Sequence, residues 1–139
     1  MELVPVNTNN IFLLQDFINN MGEAAASFRY FARRDIKVIE QHEATLLFIE
    51  NNRPVAYGHL EKEKDEVWLG ICVLPNAKGK GYGKQMMKAL IQKATANNIK
   101  KISLTVDKIN KTAIHLYEKT GFSKVKETDS YFKYEFKIL

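Results

Sequence analysis

Three glycines alternate with lysine and tyrosine in Lys78-Gly79-Lys80-Gly81-Tyr82-Gly83-Lys84, between the apolar run Val67–Leu74 and a stretch of helical periodicity. Glycine lets a backbone turn tightly and approach a ligand closely. The first N–H groups of the helix that follows have no partner within it. Such a turn is suited to holding phosphate oxygens on main-chain donors. Two familiar phosphate loops do not fit. A Walker A loop needs glycine five residues before Gly83, where Lys78 stands, and Ser or Thr after Lys84, where Gln85 stands. A dinucleotide fingerprint needs G-x-G-x-x-G, a spacing that Gly79, Gly81 and Gly83 do not have.

Charge points to the same segment. Residues 76–111 hold nine lysines against one acid, Asp107, a net of +8, while the remaining residues hold twelve basic and fifteen acidic groups, a net of −3. An anionic ligand is therefore expected at the glycine turn. Nucleic acid is not expected, because no helix-turn-helix, zinc-finger or RNP-type signature accompanies the lysines. A second place for chemistry is His59, whose ordinary pKa suits proton transfer near neutrality. Its alternation with Tyr57 and Glu61 puts all three on one face of a strand. His42 and His115 carry no motif and read as surface residues.

These residues need elements to position them. Residues 2–6 read as a first strand. Residues 8–20 place Ile11, Leu14 and Ile18 at helical spacing, and Ser27–Arg34 reads as a second helix. Ala44–Glu50 and Val55–Lys62 read as a hairpin closed by Asn51-Asn52-Arg53-Pro54, with Asp65–Leu74 a further strand. The unbroken apolar run of that strand predicts cover on both faces. Met87, Leu90, Ile91 and Ala94 mark an amphipathic helix, and Ile102, Leu104 and Val106 a strand. Asn110 caps a helix carrying Ala113, Ile114 and Tyr117, and Gly121 ends it. Phe132, Tyr134, Phe136 and Ile138 alternate as a last strand that offers an edge for pairing across a homodimer. The order is an antiparallel meander followed by a β-α-β unit.

With 139 residues the chain fits one domain, since ~100–200 residues make one. A hydrophobic share of 45% against 27% charged excludes a disordered chain. No run reaches the ~18 apolar residues of a membrane span, and the N-terminus lacks the layout of a signal peptide. The single Cys72 forms no internal disulfide and supplies no cysteine metal cluster. The expectations are a cytoplasmic protein with no metal and no membrane partner.

The stretch VLPNAKGKGYGKQMMKALI resembles the acyl-CoA-binding motif of the GNAT N-acetyltransferase superfamily, Q/R-x-x-G-x-G/A, read here as Lys78-x-x-Gly81-x-Gly83 with lysine in the first position. Downstream, NKTAIHLYEKTGF from Asn110 to Phe122 resembles the second GNAT motif. The resemblance runs from Ala44 onward and implies an α/β (α+β) fold over residues 1–139: a central mixed, mostly antiparallel sheet of six or seven strands flanked by about four helices. It further implies acetyl-CoA as cofactor and direct attack of a primary amine on the acetyl thioester. The sheet is then expected to splay beside the fourth strand, with Ile71, Cys72 and Val73 along the pantetheine arm and main-chain N–H groups from Gly79 to Lys84 on the pyrophosphate. Lys78, Lys80, Lys84, Asn110, Lys111 and Ala113 are expected nearby.

By the same resemblance Tyr117 is the general acid and the Val73 N–H an oxyanion donor. The base is left open among His59, Glu61, Asp65 and Glu66. The acceptor pocket is expected from Phe28, Arg29, Phe31 and Arg33, a mixture of rings and guanidinium groups suited to a planar or anionic amine such as a nucleotide-linked amino sugar. A protein N-terminus or lysine as acceptor, and a sensor that binds acyl-CoA without turnover, are the alternatives.

Overall fold

The computed structural model describes residues 2–138. Seven strands make one sheet: β1 Glu2–Pro5, β2 His42–Glu50, β3 Arg53–Glu63, β4 Glu66–Val73, β5 Lys101–Asp107, β6 Ser123–Glu127 and β7 Tyr131–Lys137. Three α-helices accompany them, α1 Ile11–Asn19, α2 Tyr82–Ala96 and α3 Lys111–Thr120, with short 3₁₀ turns between. The sheet order is β1-β2-β3-β4-β5-β7-β6. The first four strands form the expected antiparallel meander. Its β2–β3 hairpin turns on Asn51 and Asn52, both at positive φ (53° and 64°), the geometry a two-residue turn demands and asparagine tolerates.

Strand β3 is the centre of the core, with Ala56 to Leu60 all buried. Its two faces carry different neighbours because side chains alternate. Helix α2 packs on one face with Met86, Met87, Leu90 and Ala94 buried. The helix comes so close that a Cβ on Gly58 would lie 2.6 Å from Met86 Cγ and 2.9 Å from Leu90 Cδ1. Helix α1 packs on the other face, where Phe17 meets Tyr57 at a ring separation of 5.9 Å.

The parallel pair β4–β5 is joined at a single point, Trp68 opposite Ser103. Beyond it the two strands part, and the sheet is split toward the C-terminal end of β4. That split explains a departure from expectation: only Leu69 and Cys72 of β4 are buried and its other residues are half-buried, because the strand borders an open cleft instead of lying under cover on both sides.

Ser27–Arg34 is not a helix. A 3₁₀ turn at Gly22–Ala26 is followed by another at Tyr30–Ala32. Residues two apart face opposite sides of a helix. Here Phe28, Tyr30 and Phe31 instead all pack toward the Tyr57–His59 face of β3, with Phe28 at 5.5 Å from Tyr57, Phe31 at 5.5 Å from Tyr57 and Tyr30 at 4.3 Å from His59. Tertiary packing overrides the helical reading. Strand β6 had no signal of its own, because all five of its residues are exposed.

Gly70 lies opposite His59 in the β3–β4 register, and a Cβ there would lie 2.6 Å from the ring Cε1. Gly70→Ala is expected to cost about 1–3 kcal/mol of stability, the usual range for overpacking a tight core. The loss should largely vanish in a His59→Ala background. Urea titration of the single and double variants measures it, and additive losses would refute the steric account.

Candidate active site

The split between β4 and β5 opens a cleft of about 700 Å³ lined by Ile71, Cys72, Val73, Lys78, Gly79, Gly81, Tyr82, Gly83 and Lys84 on one side. Asn110, Ala113 and Tyr117 of the α3 region line it from the other. Main-chain geometry accounts for much of what this cleft offers. The Leu74 N–H donates to the Val55 carbonyl of β3 at 3.0 Å. Because N–H groups alternate along a strand, those of Val73 and Ile71 face the opposite side, where β5 has already moved away. These N–H groups are free donors, and the carbonyls of the same residues, which face the same way, are free acceptors, for an extended, amide-bearing ligand.

At the head of α2 the chain enters through Gly79 and Gly81 at φ 80° and 84°, left-handed values that favour glycine. The first bond into the helix is from the Gln85 N–H to the Gly81 carbonyl at 3.1 Å. The N–H groups of Tyr82, Gly83 and Lys84 therefore lack intrahelical acceptors and carry the positive end of the helix dipole. The combination fits the pyrophosphate and pantetheine of coenzyme A. Lys78 and Lys84 reach the cleft, whereas Lys80 does not line it and pairs with Glu50 at 3.3 Å. Glu50 also accepts from the Tyr82 hydroxyl, so Tyr82 serves the cleft through its backbone. Lys111 is exposed and off the cleft. Asn110 both borders the cleft and caps α3, accepting from the Ala113 N–H at 3.2 Å.

Tyr117 is 8% exposed and lines the cleft near Cys72. Its hydroxyl has no hydrogen-bond partner among the described residues, and burial, with Cys72 adding, pushes its pKa up to about 12. It is thus a protonated donor free to serve a ligand. Burial likewise pushes the Cys72 thiol up to about 12, which keeps it inert.

The opposite end holds a polar cluster that the sequence reading identified only in part. Tyr57 Oη is 2.7 Å from His59 Nδ1. Tyr30 Oη is 2.7 Å from His42 Nε2 and donates to Glu61 Oε1 at 2.9 Å, and His42 Nδ1 is 2.9 Å from Thr45 Oγ1. Burial holds the His59 pKa well below the ordinary histidine value, with His42 and Arg34 adding. It lowers His42 to about 4, with Arg34 again contributing. His42 is therefore a half-buried member of this cluster and not a surface residue. Its register opposite Glu61 across the hairpin was the available signal. His115 is exposed, as expected, although it borders the cleft.

Among the candidate bases, His59 and Glu61 line the cleft, while Asp65 sits in the exposed β3–β4 turn and Glu66 is held by Lys133 at 2.6 Å, both away from it. A strand end fixes their distance from the split. Of the acceptor residues, Phe28 and Arg29 line the cleft, but Phe31 is spent on the Tyr57 ring and Arg33 is exposed outside. Both Arg29 guanidinium nitrogens engage Asp107, at 3.0 and 3.1 Å, so its fork is occupied. Arg34 stacks on the Tyr30 ring, 4.2 Å from its centroid. The arginines expected to grip an anionic acceptor are thus off the cleft or already engaged.

The acetyltransferase (GNAT) family model matches residues 11–122. An uncharacterized N-acetyltransferase, YycN of Bacillus subtilis, is 52% identical over 52 residues, covering 37% of this chain and 31% of that protein. The [ribosomal protein bS18]-alanine N-acetyltransferase of Haemophilus influenzae is 33% identical over 88 residues, covering 63% of this chain and 60% of that protein. The matched part therefore spans less than two thirds of either relative. In three dimensions, the PaiA N-acetyltransferase of Thermoplasma acidophilum, solved in complex with coenzyme A, superposes with a TM-score of 0.78 at 15% identity, over 99% of this chain and 98% of that one. The split sheet, the glycine turn before α2 and the family match agree: the chain belongs to the acetyltransferase (GNAT) family.

Proposed function

We propose that the protein is an N-acetyltransferase that moves an acetyl group from acetyl-CoA to a primary amine in a ternary complex. The observation that carries this reading is the cleft itself, with free strand donors on β4, unpaired N–H groups at α2 and an unpartnered Tyr117 hydroxyl between them. Acetyl-CoA supplies the activated acetyl group. The Val73 N–H stabilises negative charge that develops on the acyl oxygen. Tyr117 holds a proton at Oη where the departing sulfur needs one. Glu61 receives, directly or through one water, the proton that the ammonium of the acceptor must lose before it is nucleophilic. His59 presents its ring to the same end and shapes the pocket.

The acceptor reading shifts with the structure. With its arginines engaged or outside, the acceptor end keeps Glu61 and Glu63 along the cleft, carboxylates that attract an ammonium group. A peptide α-amine has the better support, because the 33% identical relative is named for a protein alanine acceptor. A small-molecule amine is the second reading, favoured by the aromatic floor of Phe28 and Tyr30. Thiol release measured across alanine-initiated peptides, lysine peptides, amino sugars and polyamines decides between them. No release with any amine, despite tight acetyl-CoA binding, would leave the non-catalytic sensor.

Glu61→Gln keeps the shape and the Tyr30 hydrogen bond but removes the basic oxygen. Turnover is expected to fall about 100-fold, the lower end of general-base contributions, with acetyl-CoA affinity unchanged. Steady-state kinetics with the best amine of the panel tests it, and an unaltered kcat would move the base elsewhere.

A further inference from the structure

One donor atom each from His42, His59 and Glu61 lies within 4.8 Å of the other two. Their closeness is built into the hairpin. His42 and Glu61 face each other across β2 and β3, and His59 stands two residues before Glu61 on the same face. Two imidazoles and one carboxylate form a donor set for a borderline divalent ion. Acetyl transfer needs one base here, Glu61, and uses neither ring for proton transfer.

The rings are also braced as ligand rings are. Thr45 Oγ1 engages Nδ1 of His42 at 2.9 Å and Tyr57 Oη engages Nδ1 of His59 at 2.7 Å. Both hydroxyl-bearing residues are buried, at 6% and 0% exposure. A partner on one ring nitrogen fixes the plane of the imidazole; on His59 this leaves Nε2 for a metal, and on His42 Nε2 faces the Tyr30 hydroxyl at 2.7 Å, which an ion would displace. Tyr30 Oη bridges His42 Nε2 and Glu61 Oε1 and so marks the point on which those two donor atoms converge.

We propose that His42, His59 and Glu61 form a binding site for a first-row divalent ion of the Zn2+ type at the acceptor end of the cleft. Bonds of ~2.0–2.1 Å in a tetrahedron put ligand atoms about 3.4 Å apart, so the group must draw in. Glu61, half-buried near the end of β3, supplies that movement. The bound ion takes the carboxylate and the space that an incoming amine requires, and so inhibits competitively against the amine. That consequence rests on the proposed acetyltransferase reading; the binding does not.

The test is a calorimetric titration of the full chain with zinc chloride in the absence of coenzyme A, whose thiol would compete, together with the visible spectrum of the Co2+ form. One equivalent is expected to bind, with the intense absorption of tetrahedral cobalt. Binding should vanish in His42→Ala and in Glu61→Gln, each checked for folding by circular dichroism. Thr45→Val, which removes only the brace on His42, should weaken it by about 10–100-fold. Absence of saturable binding, or binding that survives in both ligand variants, overturns the site. If zinc binds as expected but does not compete with the amine, the metal site stands and the placement of the acceptor at Glu61 fails.

Discussion

Gly81→Asp is expected to raise the Kd for acetyl-CoA by about 100-fold or more while leaving the protein folded. The position is the N-cap of α2 at φ 84°, and a Cβ there would find only Gln85 Nε2, at 3.9 Å. Aspartate is among the non-glycine residues that best tolerate a left-handed backbone and is a preferred N-cap. Local structure therefore accepts it. What it cannot accommodate is a second negative charge where the N–H groups of Tyr82, Gly83 and Lys84 await a pyrophosphate. Like charges ~4 Å apart repel by ~4 kcal/mol at an effective dielectric of 20, and each ~1.4 kcal/mol is tenfold in affinity. Screening and side-chain movement reduce that figure to the hundredfold stated. Gly81→Asn tolerates the same backbone and caps in the same way without the charge, so it should bind clearly more tightly than Gly81→Asp, the gap between the two reading the charge alone. Fluorescence or calorimetric titration with acetyl-CoA reads the difference, and an aspartate variant with parental affinity would remove α2 from the cofactor site.

Tyr117→Phe separates chemistry from binding. Because the hydroxyl has no protein partner among the described residues, its removal leaves nothing unsatisfied behind and costs little stability. Burial and packing against Phe122, at a ring separation of 5.9 Å, are kept by phenylalanine. Turnover should nonetheless drop by about 100–1,000-fold, within the range for loss of a positioned general acid. Acetyl-CoA affinity should stay the same. With its pKa near 12, the hydroxyl remains protonated across the working range, so the parent enzyme should show no alkaline decline below pH 10 that disappears in the variant. Stopped-flow or steady-state thiol release tests both points, and equal turnover would take Tyr117 out of the mechanism.

The glycine turn and the elements around it were legible because they are made of local backbone geometry. Gly79 and Gly81 take positive φ, the strand before them and the helix after them follow from apolar periodicity, and Asn110 and Gly121 cap α3 as their chemistry demands. Each of these depends on neighbours within a few residues. The opposite end of the cleft was less legible because it is assembled from separate segments. Arg29 read as a free anion-binding fork, yet its partner Asp107 comes from the far end of β5. Asp65 and Glu66 had the right residue types, but the pairing of β3 with β4 sets them beyond the cleft.

Composition, periodicity and the two motifs by themselves determined the meander, the β-α-β unit, the glycine turn before α2 and the place of Tyr117 on α3, since strand alternation and capping are properties of consecutive residues. Only the tertiary structure decided that Ser27–Arg34 is irregular, that His42 is joined to His59 and Glu61, and that the cationic side chains of the acceptor end are occupied. Those outcomes turn on which segments meet across the sheet, and contacts between residues as far apart as Arg29 and Asp107 leave no periodic trace along the chain.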